Sequence, residues 1–133
     1  MTYALDTNII IHFMRGTQNP RDKRDEAIKQ GNKIIIPPIV DYEIQRGLFC
    51  NLSQGKEKSY QKFCSIFSIG EMNTDIWRCG AQIYADLWKK RFTVGDADIL
   101  IAAFCMVNDY TLVTDNIKHF GVIDGLAYVN WVE

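Results

Sequence analysis

The sequence has no long hydrophobic run. Its longest apolar stretch, Ile99–Val107, falls well short of the roughly 18 residues a membrane span needs and reads as a buried helix. The N-terminus lacks a charged leader, a long apolar segment and a small-residue cleavage site, so no signal peptide is expected. The four cysteines (Cys50, Cys64, Cys79, Cys105) are far apart. With no C-x-x-C pair, zinc-site spacing is missing, and the cysteines read as reduced, mostly buried thiols of a cytoplasmic protein. There are only two histidines, His12 and His119. No G-x-G-x-x-G or G-x-x-x-x-G-K stretch exists to cradle a nucleotide. An excess of basic charge is also missing: the formal net charge is −1. That does not favour a nucleic-acid binder, but an acidic metal site would cancel basic residues elsewhere, so the distribution of charge matters more than its sum.

What is present suits one domain, expected over residues 1–133, with 47% apolar residues to build a core and 23% charged ones. No repeat, linker or low-complexity tract interrupts it. Strand-like and helix-like patterns alternate. Strands are expected at Tyr3–Leu5, Lys33–Ile36, near Ile66–Ile69, at Thr111–Val113 and at Leu126–Val129. Helices are expected at Thr7–Met14, Arg21–Gln30, Ile39–Phe49, Lys56–Phe67, Thr74–Lys90 and Ala97–Val107, with a loop over Gly16–Pro20. Val40, Ile44 and Leu48 form the inner stripe of the third helix, and Tyr60, Phe63, Cys64 and Phe67 that of the fourth. On the fifth, Ile76 or Trp77, Ile83 or Tyr84, and Leu87 face inward. The alternation predicts an α/β fold with a mostly parallel sheet, whose functional sites form beyond the carboxyl ends of the strands.

Carboxylates recur at those ends. Asp6 directly follows the first strand; it suits a helix cap, yet Thr7 or Asn8 would cap equally well and leave it free. Glu43 lies beside the apolar stripe of its helix, where a half-buried charge needs an ion-pair partner or a metal. Arg46, one turn away, is the competing partner. Asp96 and Asp98 precede the apolar helix; Asp96 is the natural cap, and Asp98 then projects from the first turn. Asp115 and Asn116 follow the fourth strand, where a turn is the plain alternative. Several carboxylates in one cleft raise each other's pKa, and a divalent cation relieves this.

These segments, Leu5-Asp6-Thr7-Asn8, Ile39-Val40-Asp41-Tyr42-Glu43-Ile44 with Gly47, Asp98-Ile99-Leu100-Ile101-Ala102-Ala103, and Leu112-Val113-Thr114-Asp115-Asn116 with Phe120, resemble the PIN domain. More narrowly, they are similar to the VapC toxins of bacterial toxin–antitoxin pairs. The resemblance runs from Tyr3 to Trp131. It implies an α/β/α sandwich with a five-stranded parallel sheet and an endoribonuclease dependent on Mg²⁺ or Mn²⁺. It also implies a VapB-like antitoxin that blocks the site, and a homodimer. The family's first three acids fall on Asp6, Glu43 and Asp98, which would hold one metal. The fourth falls on Asn116, where many members carry Asp; neighbouring Asp115 is the substitute. Asp96 is an additional acid, and Thr7, Asn8 and Thr114 are hydroxyl or amide partners for the carboxylates. RNA contacts are expected from Arg15 and Arg46, with Arg21, Lys23, Arg24 and Lys89–Arg91 as further candidates. His12 is expected to pack on or cap its helix.

The alternative is a PIN-like RNA- or protein-binding module with weak catalysis, which Asn116 favours and the intact trio of acids opposes. Haloacid-dehalogenase-type phosphatases want D-x-D where this chain has Asp6-Thr7-Asn8. Receiver domains want an acid where it has Pro37-Pro38.

Overall fold

The computed structural model describes residues 1–132; Glu133 lies outside them. Five short strands form one sheet: β1 (Thr2–Leu5), β2 (Lys33–Ile36), β3 (Ser68–Ile69), β4 (Thr111–Val113) and β5 (Tyr128–Val129). Their order is β3-β2-β1-β4-β5, and every pairing is parallel. β1 is central, with Tyr3 opposite Ile34 on one side and Thr111 on the other. A parallel sheet is covered on both faces, which is why β1, β2 and β4 read as nearly unbroken apolar runs. Ala4, Leu5, Ile36, Leu112 and Val113 are fully buried.

The seven helices of the described residues are α1 (Thr7–Arg15), α2 (Gln18–Lys29), α3 (Pro38–Cys50), α4 (Gln54–Ile66), α5 (Thr74–Lys89), α6 (Asp96–Asn108) and α7 (Ile117–Phe120). α6 is the covered helix its composition predicts, with Ile99, Ile101, Ala102, Ala103, Phe104 and Cys105 buried. It packs most extensively against α5. Gly80 makes that approach possible, since a Cβ there would lie 2.9 Å from Leu100 Cδ2. On α5 the inward residues are Ile76, Ile83 and Leu87, while Trp77 and Tyr84 point outward. The expected stripes of α3 and α4 hold as well: Val40, Ile44, Tyr60, Phe63 and Phe67 are buried, and Leu48 and Cys64 are partly so.

Several boundaries differ from the sequence reading. α2 begins at Gln18 rather than Arg21, because Pro20 occupies its first turn, where a helix needs no amide donor. The last strand is shorter, pairing only at Tyr128 and Val129. α7, a single turn, carries too few residues to show a periodic pattern. The thiols are all free, but only Cys105 is buried; Cys64 and Cys79 are intermediate and Cys50 is exposed. No helix of the described residues is long and apolar enough to cross a membrane.

Candidate active site

From β1 the chain moves outward to β2 and β3, then returns to the other side of β1 for β4. The carboxyl ends of β1 and β4 therefore flank the point where the strand order reverses, the preferred place for a site in such sheets. Asp6 leaves β1 there and Thr114 leaves β4. The Asp6 amide donates to the Val113 carbonyl at 2.9 Å, so the ladder itself brings the two together. The Thr114 hydroxyl donates to Asp6 Oδ2 at 2.8 Å, and the Thr7 amide donates to Asp6 Oδ1 at 2.8 Å. Of the three residues suited to cap α1, Asp6 is the one that does so. The Thr7 side chain is instead engaged with Glu43, and Asn8 is exposed.

Asp6 is 4% exposed. Burial pushes its pKa up to about 6; the bonds from Thr114 and Thr7 oppose the rise, and the charges of Asp98 and Glu43 add to it. These three acids, expected as a set, are thus close enough to act on one another electrostatically.

Glu43 approaches from α3, where it flanks the buried Val40 and Ile44. Its Oε1 accepts from the Thr7 hydroxyl at 2.9 Å, and its Oε2 lies 3.6 Å from an Arg46 Nη. Arg46 also lies over the Tyr42 ring, 5.3 Å from its centroid. The competing pairing foreseen for Arg46 is present: it pairs with Glu43, and at 56% exposure it still reaches solvent. Asp98 lies in the first turn of α6. It accepts from His119 Nδ1 at 2.9 Å. A carboxylate only accepts, so that nitrogen carries the proton; the Asn116 amide Nδ2 lies 3.0 Å from it.

His119 is the contact that sequence reading missed. Its signal was its place three residues after Asn116, within one helical turn, but α7 was not foreseen. Asp96 departs from expectation in another way. Gly95 occupies the cap position of α6, with no side-chain bond, and Asp96 is the exposed first helical residue. Asp115 turns toward α1, where His12 Nε2 meets its Oδ2 at 3.4 Å, so it does not join the trio. His12 also contacts the Thr17 hydroxyl through Nδ1 at 3.3 Å. Asp41 is held by the Tyr60 hydroxyl at 2.8 Å.

Among the basic candidates, Arg15 is exposed and shares a groove of about 520 Å³ with Thr7, Glu43 and Ile44. Arg21 and Arg24 have structural roles. Arg21 donates to the Phe13 carbonyl at the end of α1, and Arg24 lies 5.2 Å from the centroid of the Phe13 ring.

The acids present oxygen donors only, and no Lys or Arg of the described residues pairs with Asp6 or Asp98. Such a donor set suits a hard divalent cation. Among the described residues, no three acid, histidine or cysteine side chains are gathered tightly enough to enclose an ion.

A parallel sheet with acids at its switch point defines a class, and sequence comparison gives the same class: the chain belongs to the PIN-domain family, whose model matches residues 3–126. PIN-domain VapC ribonucleases are in general dependent on a divalent metal. The chain is 31% identical to the ribonuclease VapC2 of Rickettsia felis, over 98% of both chains. Among solved structures it is similar to VapBC2 of Rickettsia felis bound to a promoter DNA fragment, with a TM-score of 0.92 and 28% identity over 98% of this chain and 99% of that one. It is also similar to VapBC-1 of nontypeable Haemophilus influenzae, with a TM-score of 0.86 and 26% identity over the full length of both.

Proposed function

We propose that this chain is a single-domain, divalent-metal-dependent endoribonuclease, the toxin of a VapBC-type toxin–antitoxin pair. The observation that carries the reading is the meeting of Asp6, Glu43 and Asp98 at the switch point, with the buried Asp6 charge opposed by burial and by both neighbours. Full-length similarity to a ribonuclease VapC and to VapBC complexes supports the same activity and a VapB-like partner.

Asp6, Glu43 and Asp98 would hold the ion, with Mg²⁺ the natural occupant and Mn²⁺ a substitute. When bound, that ion would lower the pKa of a nearby water and offset negative charge at the scissile phosphate. The protein's own part is positional. Thr114 and the Thr7 amide fix both oxygens of Asp6, the Thr7 hydroxyl fixes Glu43, and His119 fixes Asp98. Arg46, paired with Glu43, and Arg15, which shares the groove with it, would take phosphates of the RNA.

The groove beside Glu43 is lined by Ile11, Met14, Ile44 and Leu48, with Phe49 and Leu52 exposed nearby in the chain. This supports a peptide partner that lays apolar side chains against α1, α3 and α4 and covers Glu43, as an inhibitory antitoxin must. A separate depression of about 470 Å³ near Tyr42, Met72 and Trp77 supports self-association as a homodimer. Reduced cysteines agree with a cytoplasmic setting.

The test is cleavage of cellular RNA by purified, antitoxin-free protein with Mg²⁺ or Mn²⁺, beside EDTA and Asp6→Asn controls. Discrete fragments lost in both controls support the reading. Absence of metal-dependent cleavage across varied RNAs overturns it in favour of a binding module.

A further inference from the structure

The end of α5 carries aromatic residues that the core does not use. Ile83 and Leu87 already fill its inner face, yet Tyr84, Trp88 and Phe92 are 54%, 70% and 48% exposed. The three line a small cleft of about 110 Å³, closed by Leu87, Val94 and Ile99. Ile99 follows Asp98 directly, so the cleft is bounded by the same turn of α6 that carries one of the acids.

Cations are interleaved with these rings in Trp88-Lys89-Lys90-Arg91-Phe92. Lys90 is tied to Asp86 and Asp124. Asp124 lies five residues after His119, which holds Asp98, so the turn is fastened to the segment that flanks the site. Among the described residues, Lys89 and Arg91 have no carboxylate partner. Arg91 has a second peculiarity: its φ of 62° lies in the left-handed region, where glycine is at ease and a side chain is strained. The turn closes with the Arg91 amide on the Trp88 carbonyl and the Phe92 amide on that of Leu87. Glycine would close it with less strain, so the turn itself does not call for an arginine side chain.

We propose that this turn is a base-stacking subsite for single-stranded RNA. An unpaired nucleobase packs against Trp88 and Phe92, and Lys89 and Arg91 take the adjoining phosphates. The proposal rests on the ribonuclease reading and adds how the substrate is held beside the acids. Aromatic faces accept any base, while the cations select a polyanion.

The experiment is fluorescence anisotropy of the full chain with a labelled 12-nucleotide single-stranded RNA, in EDTA so that nothing is cut. Trp88→Ala and Phe92→Ala should each weaken binding by about 5- to 50-fold, in line with the loss of one stacked base. Trp88→Phe should restore most of the affinity, and oligonucleotides carrying an abasic position should lose affinity by a similar factor. Arg91→Gly should weaken binding and flatten its salt dependence while raising the melting temperature. Unchanged affinity in Trp88→Ala, or a change in oligomeric state with RNA affinity intact, overturns the subsite. A parallel cleavage assay with Mg²⁺ separates the two readings. Cleavage by wild type with unaltered Trp88→Ala binding sinks the subsite alone. Trp88-dependent binding without any cleavage sinks the ribonuclease reading alone.

Discussion

Replacing Asp6 by Asn should make the metal-free protein more stable at neutral pH while removing its activity. The folded-state pKa of Asp6 is raised from 3.8 to about 6, first by burial and then by the charges of Asp98 and Glu43. Between those values the native state binds more protons than the unfolded chain. Stability from this group is therefore complete below about pH 4 and is lost as pH rises through 6. At 1.36 kcal/mol per pH unit, the full loss is on the order of 3 kcal/mol. Asparagine stays neutral throughout, and its amide accepts from the Thr7 amide while donating to the Thr114 oxygen. Asp6→Asn should thus match wild type near pH 4 and exceed it by about 1–3 kcal/mol at pH 7.5, a melting-temperature gain of roughly 3–10 °C for a chain of this size. Urea and thermal denaturation in EDTA at both pH values measure this. Added Mg²⁺ should reverse the order, because wild type gains from binding and the variant gains less. An Asp6→Asn protein less stable than wild type at pH 7.5 in EDTA, with the same deficit at pH 4, would refute the reasoning: Asp6 would then be a structural cap and not a carboxylate held against its own solvation.

Three further expectations follow from particular contacts. Thr114→Val removes the hydroxyl on Asp6 Oδ2, so the acidic limb of the cleavage pH profile should move upward and Mg²⁺ affinity should fall by about 10- to 100-fold, read by isothermal titration. Arg46→Ala breaks an exposed ion pair and should change stability by less than about 1 kcal/mol in denaturant melts, yet raise KM for RNA several-fold with little change in kcat. Gly70→Ala would set a Cβ 2.4 Å from the Phe104 ring, which is buried in α6, and should cost about 1–3 kcal/mol. Gly80→Ala meets only the tip of Leu100 and should cost less, a ranking that thermal unfolding of the two variants checks.

The layers and the candidate acids are written in local patterns. Period-four apolar stripes on α3 and α4 and unbroken apolar runs in β1, β2 and β4 follow from burial that each element needs wherever it packs, so they are written locally. Asp6, Glu43, Asp98 and Thr114 were legible because each sits at a strand end or beside a buried stripe, where a polar side chain needs a reason. Other features had no local trace. Asp115 turns to His12, 103 residues away in sequence, and the Thr7 hydroxyl to Glu43, 36 away. Asp96 looked like a cap because cap propensity is local, but the chain enters α6 one residue earlier, at Gly95. The role of His119 required α7 to form against α6, a contact no periodic signal announces. The return of β4 beside β1 is a property of the assembled sheet: it brings Thr114 to Asp6, and with α3 and α6 packed alongside, the charges of Glu43 and Asp98 lie near enough to raise the Asp6 pKa.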